Sequence, residues 1–143
     1  MNTNQKISLI KVGHPKHLDK FVNDPESRVR QSVAQYGEDS HKDKLMNDDD
    51  YLVKRNLARY GGDSHKDKLA HDDDFGIRSN VAWFGNDSHR DKLVNDKQEN
   101  VRQAVAQRGN KQHATKLLND ERPYIRDLAK ERLKELESGY TNE

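Results

Sequence analysis

Apolar residues in this chain recur on two alternating short rhythms, and the pair of rhythms repeats every 24 residues. One rhythm is seen in Asn23 to Gly37, where Val29, Val33 and Tyr36, with Ala34 beside them, fall at the three- and four-residue spacing of one helical face. Equivalent sets are Val53, Leu57, Ala58 and Tyr60, then Ile77, Val81, Ala82 and Phe84, then Val101, Val105 and Ala106. The other rhythm is a single apolar pair closing a polar stretch: Phe21/Val22, Leu45/Met46, Leu69/Ala70, Leu93/Val94 and Leu117/Leu118. No segment alternates with period two over a useful length, so strands are not expected. Each unit therefore predicts two helices. The first is about two turns long and partly of the tighter 3₁₀ type. The second is longer and amphipathic.

Polar columns keep the same period. Histidine stands at 17, 41, 65, 89 and 113, lysine at 20, 44, 68, 92 and 116, glycine at 13, 37, 61, 85 and 109, and aspartate at 24, 48, 72, 96 and 120. A basic column runs through Arg30, Lys54, Arg78, Arg102 and Arg126. Full columns on one period mark a repeat architecture in which neighbours stack, because one unit cannot bury its own apolar face. The expected fold is all-α: a right-handed α-solenoid of about five stacked two-helix repeats, forming a single repeat domain over 1–143. Residues 1–12 form an N-terminal capping segment with Ile7, Leu9, Ile10 and Val12 on an incomplete helix. Residues 13–133 hold the repeats. Residues 134–143 complete a capping helix that runs through Leu128, Ala129, Leu133 and Leu136, then fray from Tyr140 to Glu143.

Local chemistry predicts the helix ends. Asp24 is expected to cap the second helix of its repeat, with Pro25 in the first helical position. Gly37 is expected to close that helix in the left-handed conformation. Asp39 or Ser40 is expected to cap the next first helix. The aspartate runs Asp48-Asp49-Asp50 and Asp72-Asp73-Asp74 lack the alternating ligands and distal glutamate of a calcium loop, and fit helix starts instead.

Charged residues make up 36% of the chain, but the formal net charge is +1, so the charges are balanced. Leu, Ile, Val and Phe together supply just under a fifth of the residues, a composition that folds only because these residues are in register. The absence of cysteine excludes disulfides, thiolate metal sites and cysteine nucleophiles. No signal-peptide run or membrane-length apolar stretch is present, which predicts a cytoplasmic protein.

The recurrent Asp, Val-Arg and Val-Ala signature, as in Asp24, Val29-Arg30 and Val33-Ala34, resembles HEAT-like repeats, especially the 24-residue leucine-rich repeat variant. The resemblance covers roughly residues 13 to 133. It implies a right-handed superhelix that binds proteins or, in some relatives, nucleic acid. The iron–sulfur module of the variant's founding members has no cysteines to hold it here. Nothing matches the catalytic surroundings of the DNA-glycosylase relatives.

The columns themselves carry structural expectations. The Arg/Lys column is expected to reach the cap aspartates of its own or the adjoining repeat. Metal ligands must converge within about 2 Å of one point, whereas stacked helices lie about 8–10 Å apart. Successive histidines therefore share no ion, and each is expected to bond to a nearby aspartate or backbone carbonyl; His14 and His71 look like surface residues. No cofactor and no catalytic constellation is expected.

Function is expected where the repeat fails to repeat. Outward positions of the second helices vary, and Arg28, Gln31, Gln35, Arg55, Arg59, Ser79, Trp83, Gln103 and Gln107 form the candidate partner-binding set. Trp83, the single tryptophan, is the expected anchor. The leading expectation is a monomeric, non-catalytic protein-binding module: a small adaptor, inhibitor or immunity-type protein, its partner a protein with an acidic surface. The alternative is nucleic-acid binding through Arg and Lys on the same surface.

Overall fold

A computed structural model describes residues 1–139 of the chain. The expectation of a frayed end at Tyr140 to Glu143 lies outside the described residues. Every regular element among the described residues is a helix. The contacts group the chain into two compact units, Met1–Leu69 and Ala70–Glu143.

The first unit holds α1 (Thr3–Val12), α2 (Pro15–Phe21), α3 (Ser27–Tyr36), α4 (Asp39–Leu45), α5 (Tyr51–Tyr60) and α6 (Asp63–Leu69). Second helices pack side by side, α1 against α3 and α3 against α5, and each first helix fills the angle beside its neighbours. Ile10, Val29, Val33, Ala34, Val53, Leu57 and Ala58 are fully buried at these contacts, with Leu18, Phe21, Leu45 and Leu69 contributed by the first helices. The second unit repeats the plan with α7 (Phe75–Phe84), α8 (Asp87–Leu93), α9 (Glu99–Arg108), α10 (Lys111–Leu117) and α11 (Pro123–Ser138). There α9 lies between α7 and α11, over a core of Ile77, Val81, Ala82, Val101, Val105 and Ile125. The long α11 ends at Gly139, which takes the left-handed conformation at φ 76°. The chain is thus an all-α repeat protein, as the 24-residue period predicts.

Several local expectations are corrected. The first helices are α-helical over seven residues. Tight i→i−3 bonds occur just beyond them, as in Asp48 N–H to the Leu45 carbonyl at 3.1 Å. Tyr36 and Phe84 are not core residues; they are 39% and 37% exposed, because the last turn of the second helix carries them past the packed face. Met46 and Leu118 are only half-buried for a similar reason, standing where the first helix has already turned away.

Capping differs too. The helix after Asp24 begins at Ser27 with Glu26 as N-cap, and Asp24 instead accepts the Glu26 N–H at 2.9 Å. In the next two repeats the third aspartate of the run is the cap: Asp50 accepts from Leu52 N–H, and Asp74 from Gly76 and Ile77 N–H. First helices are capped one residue earlier than expected, by Glu38, Asn86 and Asn110, with Asp39 and Ser40 inside the first turn. His14, expected at the surface without a role, caps α2 through a bond from Lys16 N–H.

The glycine column has a different cause from the one expected. Only Gly13 of that column is left-handed, at φ 80°. Gly37, Gly61 and Gly109 have φ near −70° and extended ψ, a conformation open to any residue. What excludes a side chain is space. A Cβ on Gly109 would stand 2.6 Å from the Val105 carbonyl oxygen and 2.7 Å from Cβ of His113. The glycine is there so that the histidine four residues later can pack against the backbone.

Candidate partner-binding face

Three sets of conspicuous polar residues are consumed by the scaffold. The first is the Arg/Asp ladder. Arg30 grips Asp48 with Nε and Nη2, at 2.8 and 3.2 Å, and its Nη1 donates to the Asp24 carbonyl at 2.8 Å. Arg78 does the same to Asp96 and the Asp72 carbonyl, and Arg102 to Asp120 and the Asp96 carbonyl. Each guanidinium therefore ties its own repeat's aspartate backbone to the next repeat's carboxylate. The hydrogen bond each guanidinium donates to the aspartate, outweighing burial, holds Arg30, Arg78 and Arg102 above their ordinary range. Burial alone would raise Asp120, but bonds from Arg102 and the Arg122 N–H, with the charges of Arg102 and Arg126, bring it below the usual carboxylate range. The ladder starts earlier than the sequence frame suggested: Lys6 of α1 occupies the same column and meets Asp24 at 2.8 Å.

The second set is the histidine column. His41, His65, His89 and His113 are buried. Nδ1 of His41 accepts the Glu38 N–H, and Nε2 lies 2.7 Å from Asp19 of the preceding repeat. His65 pairs with Asp43 and His113 with Asp91 in the same way. Aspartate is thus a partner, as expected, while the local backbone group is an N–H and not a carbonyl. Because Nδ1 receives an N–H, the ring hydrogen belongs on Nε2, pointing at the carboxylate.

The third set was not legible as a function of its own. Lys42, Lys66 and Arg90 follow the histidine in successive repeats and are buried. Lys42 Nζ donates to the Tyr60 carbonyl, Lys66 Nζ to those of Arg59 and Gly61, and Arg90 to those of Ala82 and Trp83. These carbonyls end second helices whose following glycine is extended, so no left-handed cap satisfies them. Buried cations take that place, where the helix dipole also favours them. Burial pushes Lys42 and Lys66 below their usual range. Arg132 of α11 serves α9 likewise, donating to the carbonyls of Gly109 and Arg108. The available signal was a cation one residue after each of three histidines.

The variable positions of the candidate set lie on the second helices, Arg28 and Arg59 exposed and the other seven half-buried. In the first unit, Arg28 is exposed and Gln31 and Gln35 are half-buried on α3; half-buried Arg55 and exposed Arg59 stand on the adjacent α5. The Arg55 guanidinium lies over the Tyr51 ring and that of Arg59 over Tyr60, each 4.9 Å from the centroid. Asn56 donates to the Gln31 carbonyl at 2.9 Å, joining the two helices. In the second unit, Ser79 and Trp83 of α7 and Gln103 and Gln107 of α9 are half-buried on adjacent helices. Arg108 covers the Trp83 ring at 5.2 Å and donates to the Trp83 carbonyl. Ser79 Oγ is enclosed without a hydrogen-bond partner.

The helices α1, α3, α5 and α7 contain no aspartate or glutamate, α4, α6 and α8 each combine two aspartates with two basic residues, and α9 and α11 carry acids of their own. Among the described residues, no helix is long and apolar enough to cross a membrane.

No protein-family model and no curated protein matches the chain. Among solved structures it is similar to an engineered protein, with 15% identity and a TM-score of 0.42, over 99% of this chain and 86% of that one.

Proposed function

We propose that this protein is a non-catalytic binding module of the HEAT-like, 24-residue repeat kind, recognising another protein through the outward surface of its second helices. One observation carries the reading. The repeated histidines, aspartates and arginines are engaged inside the scaffold, whereas the lysine column of the first helices is exposed; the positions that vary stand on adjacent second helices, with guanidiniums laid over aromatic rings. Arginine, tyrosine and tryptophan in such stacks present large, rigid, amphipathic contact area of the type that dominates protein interfaces.

On this reading the protein works in the cytoplasm as a monomeric adaptor, inhibitor or immunity-type protein, acting by covering part of a larger partner. Trp83 and Arg108 form the anchor of the second unit; Arg55 and Arg59, with their tyrosines, form that of the first. The test is affinity capture from native lysate with the wild-type chain beside two variants. Arg55→Glu/Trp83→Ala, on the second helices, should lose the captured protein, and Lys44→Glu/Lys92→Glu, on exposed first-helix positions, should retain it. The reverse pattern would move the interface to the first helices.

A further inference from the structure

We infer that the second-helix face of the Ala70–Glu143 unit docks an extended peptide segment of another protein, whose main chain is read by the side-chain amides of Gln103 and Gln107 beside Trp83. The inference rests on the protein-binding reading above and names the form of the bound segment.

Asn100, Gln103 and Gln107 follow one another at three- and four-residue spacing on one face of α9, Asn100 exposed and the two glutamines half-buried. Among the described residues, none of these three side chains makes a hydrogen bond. The amide of Asn56 on α5, by contrast, is spent inside the fold, on the Gln31 carbonyl. Each glutamine therefore has N–H groups to donate and an oxygen to accept with. A peptide group offers the complementary pair. Only a segment outside a helix has that pair to spare, because a helix bonds its own main chain.

The spacing of the amides fits an extended chain. Gln103 and Gln107 are about 6 Å apart along the helix axis. In an extended chain one residue turns both its N–H and its C=O to the same side, and the next residue to do so is two on, about 6.6 Å away. Successive glutamines thus meet alternate residues of one segment, each through a paired donor and acceptor. With the main-chain edge on α9, side chains lean alternately toward the two helices packed against it, α7 and α11. On the α7 side stands Trp83, half-buried and fixed by Arg108, which covers its ring and donates to its carbonyl. An apolar side chain of the segment meets that indole.

Charge favours a peptide over a phosphate backbone. The basic residues of α7 and α9 are Arg78 and Arg102, which grip Asp96 and Asp120, and Arg108, which is engaged with Trp83. Other charges flank the amides: Asp73, Asp74 and Lys97 near the helix starts, Glu99 bonded to Arg122 and Tyr124, and Asp127 and Glu131 on α11. A neutral amide row with acids at its margins gives phosphates little counter-charge, whereas peptide groups need none.

The experiment selects ligands for the full chain from a phage-displayed library of random linear peptides. One selected peptide is then made with a single N-methyl group at each position in turn, which removes one main-chain N–H and keeps the side chain. Affinity should fall at least about tenfold at two positions two residues apart and change little at the position between them. Gln103→Ala/Gln107→Ala should weaken the unmethylated peptide at least about tenfold with an unchanged helical signal. Gln107→Ala alone, expected to weaken it about threefold, stands in if the double variant unfolds. Gln31→Ala/Gln35→Ala, the same pair on α3, should bind as wild type does. Selection of no peptide, a helical signal gained by the peptide on binding, or N-methyl losses without that alternation would overturn the inference alone, the protein-binding reading being decided by the lysate capture. Equal loss in the α3 variant would overturn the assigned site. Tighter binding of an oligothymidylate that Gln103→Ala/Gln107→Ala abolishes would overturn both readings.

Discussion

Nε2 of His113 lies 2.6 Å from Oδ1 of Asp91, 22 residues earlier in the chain, while Nδ1 of the same ring accepts the Asn110 N–H at 3.0 Å. One side chain thus caps its own helix and reaches back to the first helix of the preceding repeat. The two ends differ in setting: the His113 side chain is 2% exposed and that of Asp91 67%. Removing the histidine should therefore cost far more than removing the aspartate. His113→Ala is expected to destabilise by about 2–4 kcal/mol through lost packing and an orphaned amide. Asp91→Ala is expected to cost under about 1 kcal/mol, since its charge is largely screened by water. Urea unfolding of both single variants and the double variant measures the two costs and their coupling; equal costs would contradict the asymmetry.

Gly109 and Gly13 share a column but should respond differently to the same change. Gly109→Ala introduces no backbone strain at φ −71°, yet its Cβ collides with the Val105 carbonyl and His113. Overpacking of this kind is expected to cost about 1–3 kcal/mol or more. Gly13→Ala has open space within 4 Å and suffers only from φ 80°, a penalty of about 1–2 kcal/mol. Adding His113→Ala to Gly109→Ala should recover part of the first loss. Thermal unfolding of the pair checks this, and an additive double variant would refute the link between glycine and histidine.

The same contrast shows what the sequence could and could not convey. Five histidines and five glycines on one period were visible, and so were the helix pairs and the core residues Val29, Val33 and Val53. The reason for the glycines was not, because a steric column and a left-handed cap leave the same letter. Asp24 looked like a cap because it precedes a helix by a few residues, but its carboxylate is spent on a turn and on Lys6. The role of Lys42, Lys66 and Arg90 could not be read, since their carbonyl partners belong to backbone and leave no trace in composition. The outward face was legible only as variation; the stacking of Arg55 on Tyr51 and Arg108 on Trp83 required coordinates.

Lys66→Met tests the buried cations. Its aliphatic stem is replaced, but the carbonyls of Arg59 and Gly61 lose their donor at the end of α5. The expected loss is about 1–2 kcal/mol, with faster amide exchange concentrated in the last turn of that helix. Exchange measured by NMR would contradict the role if protection there were unchanged.

Acid should weaken the ladder, and the sign follows from the aspartates. Asp24 and Asp120 are held below the ordinary carboxylate range, where burial alone would raise them, by bonds from Lys6 and Arg102 and from backbone N–H groups. Such groups bind protons less readily folded than unfolded, so their stabilisation is fully present above the ordinary range and is lost as pH falls through the folded values. Stability should thus decline below about pH 4. Asp120→Asn should lower stability at neutral pH and flatten that decline; an unchanged acid slope in this variant would remove Asp120 from the account.

The central claim is a division of labour: repeated columns hold the scaffold and the varying second-helix residues recognise a partner. Affinity for the captured partner and melting temperature, measured together on Arg55→Glu/Trp83→Ala and on Arg102→Ala, test it most directly. The account predicts that the first variant loses at least about a hundredfold in affinity, as interface anchors do, with a melting temperature close to wild type. Arg102→Ala should melt several degrees lower and, below its melting point, bind as before. A collapse in the stability of the first variant, or wild-type affinity in it, would contradict the claim.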